Sequence, residues 1–438
     1  MVISPLPQRQ TLLALLDTAV AVSHPDACLP PHLPAAPAQG RILVLGAGKG
    51  AAAMARAAER HYAAQGQIDR LSGFITTRHG YGVATERIEV VEAGHPVPDA
   101  AGFRAAARAL GLAEAAAPDD LVLVLLAGGA SALWSAPVEG LDLATKQAVT
   151  RALLRSGAPI GEMNIVRRHI SRIKGGRLAR AAMSGYQGGG DQPRLITLAI
   201  SDVPGDDPEA IGSGPTVADP TTLEQAREVI ARRGIDVPEA VARALADPAN
   251  ETPKPRDPIF TATRYQLVAR PQIALAAAAE QARSLGYRPI LLGDAIEGEA
   301  REVAGAHAQI AREARLKGER IALLSGGELT VTVRGNGSGG PNQEYALALA
   351  LALEGTAGIV AIAADTDGTD GGTGKPDDPM GALIDATTLA RAAALGMNAA
   401  TFLDNNDSSG FFAATGDLIV RGATQTNVND FRAILIDP

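Results

Sequence analysis

Short apolar runs recur along the chain from about Arg41 onward, and each is followed by a longer Ala-rich stretch with helical spacing. Continuous apolar runs bounded by turn residues read as buried strands, and the Ala-rich stretches as helices laid over them. That is the pattern of βαβ units around a largely parallel sheet. The predicted strands of a first series are 42–45, 73–76, 88–92, 121–126 and 195–200, with helices over 50–63, 102–115, 145–154, 161–172 and 222–233. Between 238 and 258 the chain turns Pro, Asp and Lys rich (ADPANETPKPRDP), which reads as a linker or exposed crossing. A second series then predicts strands at 265–269, 289–292, 321–325, 329–333, 358–363 and 431–436. Within it GELTVTVRG alternates apolar and polar residues, so it is expected to be a half-exposed or antiparallel strand inside a mixed sheet. The division expected is an N-terminal Rossmann-like α/β domain over 1–240 and a C-terminal α/β domain over 241–438, with a cleft between them.

Length supports two domains, because 438 residues exceed the ~250–300 at which a single core stops growing. Aromatics are only 3%, so Ala, Leu, Val and Ile must build the cores. A net charge of −8 without a basic block argues against a nucleic-acid partner. Cys28 is the only cysteine, which excludes an intrachain disulfide and a cysteine-based zinc site and suits a reducing cytoplasm. The apolar run at 11–22 carries Asp17, follows prolines and lacks a basic start, so it is expected to be an amphipathic helix rather than a signal peptide. No stretch approaches the ~20 apolar residues of a membrane span, and no membrane partner is expected.

The candidate chemistry lies in the glycine-rich segments. SGGPNQEYALALALAL (338–353) runs from a glycine loop into a helix whose first turn holds Asn342, Gln343 and Glu344, a place where free N–H groups favour an anion. ADTDGTDGGTG (364–374) puts Asp365, Asp367 and Asp370 at the C-terminal mouth of a strand, where ligands sit in open α/β sheets. It lacks the closing Glu and flanking helices of a calcium loop, so magnesium carried on substrate phosphates suits it better. LVLGAGKGAAAMA (43–55) is strand, glycine turn and helix; it presents backbone N–H groups to phosphate, or it is a plain turn with Lys49 solvated. EAGHPVPDAAG (92–102) fixes His95 in a proline-stiffened turn, and AGGASAL (127–133) offers either an oxyanion nest or Ser131 as a helix cap. EMNIVRRHISRIKGGRLAR (162–180) gathers Arg168, His169, Arg172 and Lys174, either a solvated basic face or a carboxylate or phosphate grip. SDVPGDDPEAIGSGPTVADPTT (201–222) is a long polar loop with Asp202 at the strand end. LDNNDSSGFFAATGDLI (403–419) adds Asn406, Asp407 and Ser408 before a short aromatic helix, where a cap is the ordinary role.

Taken in order, GAGKGAAAMA, EAGHPVPDAAG, AGGASAL, EMNIVRRHISRIKGGRLA, ISDVPGDDPEAIGSGPTVADPTT, SGGELTVTVRGNGSGGPNQE, AADTDGTDGGT, NNDSSGFF, GDLI and TNVNDFRAILI resemble one family through almost the whole chain. It is that of the glycerate 2-kinases with a C-terminal MOFRL domain, here about 318–438. The resemblance implies two α/β domains, ATP as phosphoryl donor, Mg2+, and D-glycerate phosphorylated at O2. It implies Lys49, Asp202 and Glu328 in catalysis, and Ser131, Arg168, Arg172, Lys174, Asn342, Gln343, Glu344, Asn406 and Asp407 in holding substrate or phosphate. Asp365, Asp367 and Asp370 then hold metal, and a homodimer is the one protein assembly considered. Two positions depart from the family pattern: Pro341 stands where GGRNQE has arginine, and Gln425 where GPTGTNV has glycine. Relatives also carry the name hydroxypyruvate reductase, but GAGKG lacks the full GxGxxG fingerprint with its distal acid. The alternatives kept open are that NAD(P)H-dependent reductase and a non-catalytic nucleotide or sugar-acid sensor.

Overall fold

The computed structural model describes residues 7–185, 192–372, 375 and 377–438. Helix α1 (Gln8–Ser23) and the short α2 (Pro25–Cys28) open the chain. Two compact units follow from the packing: Cys28–Val268 forms the first, and Ala269–Pro438 together with Met1–Ala27 forms the second.

In the first unit the apolar runs become β1 (Ile42–Ala47), β2 (Leu71–Arg78), β3 (Ile88–Ala93), β4 (Leu121–Leu126), β5 (Arg194–Ile200) and β6 (Thr263–Ala269), in the order β3-β2-β1-β4-β5-β6. Pairings among the first five are all parallel. β1 and β4 are buried along their whole length, which is why they read as unbroken apolar runs. Helices α3 (Ala51–Ala64) and α4 (Ala100–Glu114) cross over between strands, with small alanines giving close approach to the sheet. The short α5 (Ala130–Leu133) follows β4, and α6 (Leu143–Arg155), α7 (Ile160–His169), α9 (Leu223–Arg232) and α10 (Glu239–Ala246) share a separate apolar cluster built on Val149, Leu153, Val166, Val229 and Val241. α8 (Arg177–Ala182) returns to the sheet core.

The second unit begins with α11 (Pro271–Ser284) and carries β7 (Arg288–Gly293), β9 (Ile321–Ser325), β11 (Ile359–Asp365), β12 (Gly381–Ile384), β13 (Leu418–Ile419) and β14 (Asp430–Ile436), ordered β13-β12-β11-β14-β9-β7. Only β7 and β9 run parallel, so the sheet is mixed. A separate pair joins β8 (Gly298–Glu299) to β10 (Leu329–Thr330). α12 (Ala300–Arg315) and α13 (Pro341–Leu353) cover the sheet, and α14 (Thr388–Ala394), α15 (Ala399–Asp404) and α16 (Ser408–Thr415) close one end.

Four expectations are corrected. The 265–269 strand belongs to the first sheet, so the units divide at Val268/Ala269 rather than at 240/241. The opening residues join the second unit, because Leu12, Leu15 and Leu16 of α1 are buried there and Gln8, Arg9 and Asp17 bond Asp437, Asp385 with Asp417, and Arg421. The 238–258 stretch is ordered, with α10 at its start and a Pro248–Asn250 turn capped by Asp247. GELTVTVRG contributes only two paired residues, and parallel ones, because beyond Thr330 the backbone turns away to Asn406, whose side chain accepts from the N–H of Arg334 and Gly335. Among the described residues no single helix is long and apolar enough to cross a membrane.

Candidate active site

Each unit has its own cluster of candidate residues. In the first, they line the C-terminal edge of the parallel sheet. Strand order reverses between β1 and β4, the point where open α/β sheets bind ligands. The turn after β1 presses on the one after β4: Gly48 has φ +136, and a Cβ there would lie 2.4 Å from the Ala127 carbonyl oxygen, so only glycine fits. Lys49 N–H donates to Gly128 O (2.8 Å), Gly48 N–H to Thr76 O (3.1 Å), and the Thr77 hydroxyl to Gly48 O (3.0 Å). This corrects the expectation that the turn offers these N–H groups to phosphate; they are consumed in locking two loops together. What the lock leaves at the edge is the half-buried Lys49 side chain. A Cβ at Gly129 would come within 3.6 Å of Lys49 Cγ and 2.9 Å of His95 Cδ2, so Lys49, His95 and the Gly129 turn converge. Asp202 is half-buried two residues past the end of β5, the next strand along the same edge.

Ser131 is not a helix cap, since Gly129 holds that position in the left-handed region at φ +86. Its hydroxyl lies 2.9 Å from Ser213 Oγ and accepts from Arg167 Nη2 (3.2 Å) and Lys174 Nζ (2.8 Å). Lys174 Nζ also donates to Ser131 O (2.8 Å) and is fully buried. Burial, and then the charges of Lys146 and Arg167, hold its pKa well below the usual lysine range. Arg168 points elsewhere, pairing with Asp219 (3.3 Å) and Glu209 (3.4 Å), and α7 stops at His169, leaving Arg172 exposed. So of the expected anion grip the structure joins Ser131 and Lys174, drops Arg168 because its charge is already matched, and leaves Arg172 outside. Arg167, which reaches Ser131, and the buried Lys146 beside it were not among the expected residues. The adjacent arginines in IVRRHI were the available signal, since neighbours on a helix diverge by ~100° and only one can face a given site.

In the second unit the acidic loop and the Asn-Gln-Glu helix start are locked together. Asp370 is fully buried, and its carboxylate accepts from the backbone N–H of Asn342 (2.9 Å) and Gln343 (2.8 Å) and from their side-chain amides (3.2 and 3.0 Å). It caps the start of α13. Burial pushes its pKa up to about 7 against the pull of those N–H groups, and the Asp430 carboxylate adds to the rise. Asn342 Nδ2 also donates to Asp430 (2.6 Å), itself paired with the buried Arg432 (3.3 Å). Burial raises Asp430 as well, against the Arg432 charge. Asp365 and Asp367 each give one oxygen to their own loop, accepting from Asp367 N–H (2.9 Å) and Thr369 N–H (2.7 Å). The three carboxylates therefore serve separate tasks, and among the described residues no group of three His, Cys, Asp or Glu comes together to hold a metal ion.

The remaining candidates of this unit fasten the glycine loop to its neighbours. Glu344 pairs with Arg301 (2.6 Å) and accepts from Asn406 Nδ2 (3.1 Å). Gln343 Oε1 accepts from Ser409 (2.7 Å), and Asp407 caps α16 while accepting from Ser338 N–H (3.2 Å). A Cβ at Gly335 or Gly337 would lie 2.3 Å from Asn405 or Asp407, so these glycines serve close chain approach. Of the expected ligand residues, Asn342, Gln343, Glu344 and Asn406 are buried and Asp407 is half-buried, and all five hold hydrogen bonds inside the unit. Glu328 is exposed between β9 and β10. Pro341 is the first residue of α13, where its fixed φ and missing N–H cost nothing.

Residues 11–246 match the family described as domain of unknown function DUF4147, and 321–430 match the MOFRL family. A putative hydroxypyruvate reductase of Agrobacterium vitis is 49% identical over 98% of this chain and 94% of its own length. The D-glycerate 2-kinase of Thermotoga maritima is 37% identical over 89% of both chains, and the glycerate 2-kinase of Pyrococcus horikoshii 38% identical over 89% and 86%. The crystal structure of the Thermotoga maritima glycerate kinase superposes with a TM-score of 0.84 at 35% identity, covering 98% of this chain and all of that one. With both family matches in sequence order and relatives aligned nearly end to end, the chain belongs to the glycerate 2-kinase family that carries a C-terminal MOFRL domain.

Proposed function

We propose that the protein transfers the γ-phosphoryl group of ATP to the 2-hydroxyl of D-glycerate, giving ADP and 2-phosphoglycerate. The observation that carries this reading is the likeness to D-glycerate 2-kinases along 89% of the chain, with Lys49 standing at the switch point of the first sheet. In such a transfer O2 attacks the γ-phosphorus, its proton leaves to a carboxylate, and the bond to the ADP oxygen breaks. Positioning and charge neutralisation supply most of the rate. Lys49 is assigned to the charge on the migrating group, and Asp202 or Glu328 to the proton. Among the described residues no three carboxylates come together as a metal cage, so magnesium would enter as part of the ATP substrate, with Asp365 or Asp367 giving at most one or two ligands.

The strand order β3-β2-β1-β4-β5-β6 is also that of dinucleotide-binding sheets, which favours a nicotinamide-dependent reductase as the second reading. Against it, the N–H groups of Gly48 and Lys49 that would meet a pyrophosphate are already bonded, and β2 ends in Arg78 rather than in a ribose-binding acid. One pair of assays decides. Purified protein with ATP, magnesium and D-glycerate should release ADP and give the phosphorus NMR signal of 2-phosphoglycerate. Oxidation of NADH or NADPH by hydroxypyruvate without ADP release would replace the kinase reading by the reductase. Binding of both substrates without turnover in either assay would point to a sensor.

A further inference from the structure

Two cations of the first unit, Arg167 and Lys174, meet at one serine, and a third, Lys146, lies close enough for the charges to act on one another. Lys146 on α6 is 6% exposed, and its Nζ has no hydrogen-bond partner. Arg167 on α7 reaches Ser131 Oγ at 3.2 Å, and Lys174 reaches it at 2.8 Å from the loop before α8. Their charges act on one another: Lys146 feels Arg167, and Lys174 feels both. The nearby carboxylates are committed elsewhere, Asp219 and Glu209 to Arg168 and Glu251 to Lys254. Like charges gathered out of water are strongly unfavourable unless a counter-charge joins them. A second feature points the same way. Gly212, Ser213 and Gly214 all have φ of +61 to +62, and this left-handed turn holds the Ser213 hydroxyl against that of Ser131. For a serine that conformation is costly, and such strain gathers where a ligand is held.

We propose that Ser131, Lys146, Arg167, Lys174 and Ser213 form a built pocket for a small oxyanion, with the unpartnered Lys146 ammonium waiting for its counter-charge. The chemistry fits a carboxylate or a phosphoryl group, because three donors of positive charge and two hydroxyls surround one acceptor-rich ligand. Under the kinase reading, on which the choice of probes rests, these are the carboxylate of the hydroxy acid and the phosphate it acquires. Burial and the Arg167 charge bring the Lys146 pKa down to about 7, which relieves part of the repulsion.

The test uses nucleotide-free, full-length protein, titrated with D-glycerate and separately with inorganic phosphate by calorimetry, in wild type, Lys146→Met and Arg167→Met. At least one probe should bind the wild type, and each substitution should weaken that binding by about 10-fold or more, the scale of one charge-assisted contact. Glycerate alone identifies a carboxylate pocket, phosphate alone a phosphoryl pocket. Circular dichroism checks folding, and Arg167→Met carries the test should Lys146→Met misfold. Failure of both probes to bind, or binding unchanged in the folded variants, overturns the pocket. The turnover assay keeps the two ideas apart. An active wild type with unaltered binding in the variants refutes the pocket alone, whereas an inactive wild type with Lys146-dependent binding refutes the kinase reading alone.

Discussion

Replacing Asp370 by alanine distinguishes a helix cap from a metal ligand. In the native protein its two oxygens receive four N–H groups, two from the backbone and two from amides, at the start of α13. Alanine strands the two backbone N–H groups in a buried place, whereas the Asn342 amide keeps Asp430 and the Gln343 amide keeps the backbone carbonyl of residue 370. Each stranded donor costs about 1 kcal/mol or more, and the lost cap falls within that sum, so the second unit should lose roughly 2–3 kcal/mol. Asp370→Asn should recover part, because one amide oxygen still faces one pair of donors while its NH2 faces the other. The sole tryptophan, Trp134, is in the first unit, so the change must be read by far-UV circular dichroism in urea and by hydrogen exchange at Asn342 and Gln343. Those two amides should lose protection first. An alanine variant that keeps the wild-type urea midpoint and amide protection, yet needs far more magnesium for turnover, would refute the cap and restore the metal role.

Lys49→Met should lower turnover by at least ~100-fold with folding intact, the scale of one preorganised electrostatic contact, as read in the ADP-release assay. Pro341→Arg, which returns the family's arginine to the start of α13, should raise turnover in the same assay. Gln425 sits at φ +63, a conformation that glycine adopts without strain; Gln425→Gly should stabilise the second unit by about 1 kcal/mol in urea melts. Lys146 gives a pH signature. An unfolded lysine keeps its proton up to its ordinary pKa of 10.5, whereas the folded one releases it near pH 7, so between those values the unfolded state binds more protons and stability rises with pH. Trp134 fluorescence in an anion-poor buffer should show the first unit gaining stability from about pH 7 to 10, and Lys146→Met should show a smaller gain, the remainder coming from Lys174, whose pKa burial also lowers.

The strands with unbroken apolar runs, β1 and β4 above all, were legible because burial on both faces leaves no polar position to mislead. Sheet membership was not. The sequence says that 265–269 is extended but not which edge it joins, and β13 is two residues long, too short to carry a period. GELTVTVRG alternates as a strand should, yet contacts from Asn406 far along the chain redirect it. That Lys49 and Ser131 sit at glycine turns and Lys174 in a basic segment was legible from the sequence, and the structure brings Ser131 and Lys174 together. Arg168 pairs with Asp219 and Glu209 while its neighbour Arg167 reaches Ser131, a difference that helix geometry makes from one residue step of ~100°. Lys146, inside an otherwise ordinary polar helix face, gave no local sign of burial. Glycine-rich loops 335–340 and 367–372 looked like ligand cradles because close packing of chain on chain demands the same residue.

Helix α1 belongs to a sheet whose central strand β14 is made some four hundred residues later. On the ribosome, then, Leu12, Leu15 and Leu16 emerge into water with nothing to cover, and the whole first unit must be synthesised before their partners appear. The first unit is in effect an insertion within the second. Its strands can close as soon as β6 is out, while the second unit assembles only by a long-range return of the leading helix, the slowest kind of contact to form. A fragment starting at Ala269 would lack that helix, leaving bare the apolar surface that α1 shields, and would be expected to aggregate. A Cys28–Val268 fragment forfeits no strand of its own sheet.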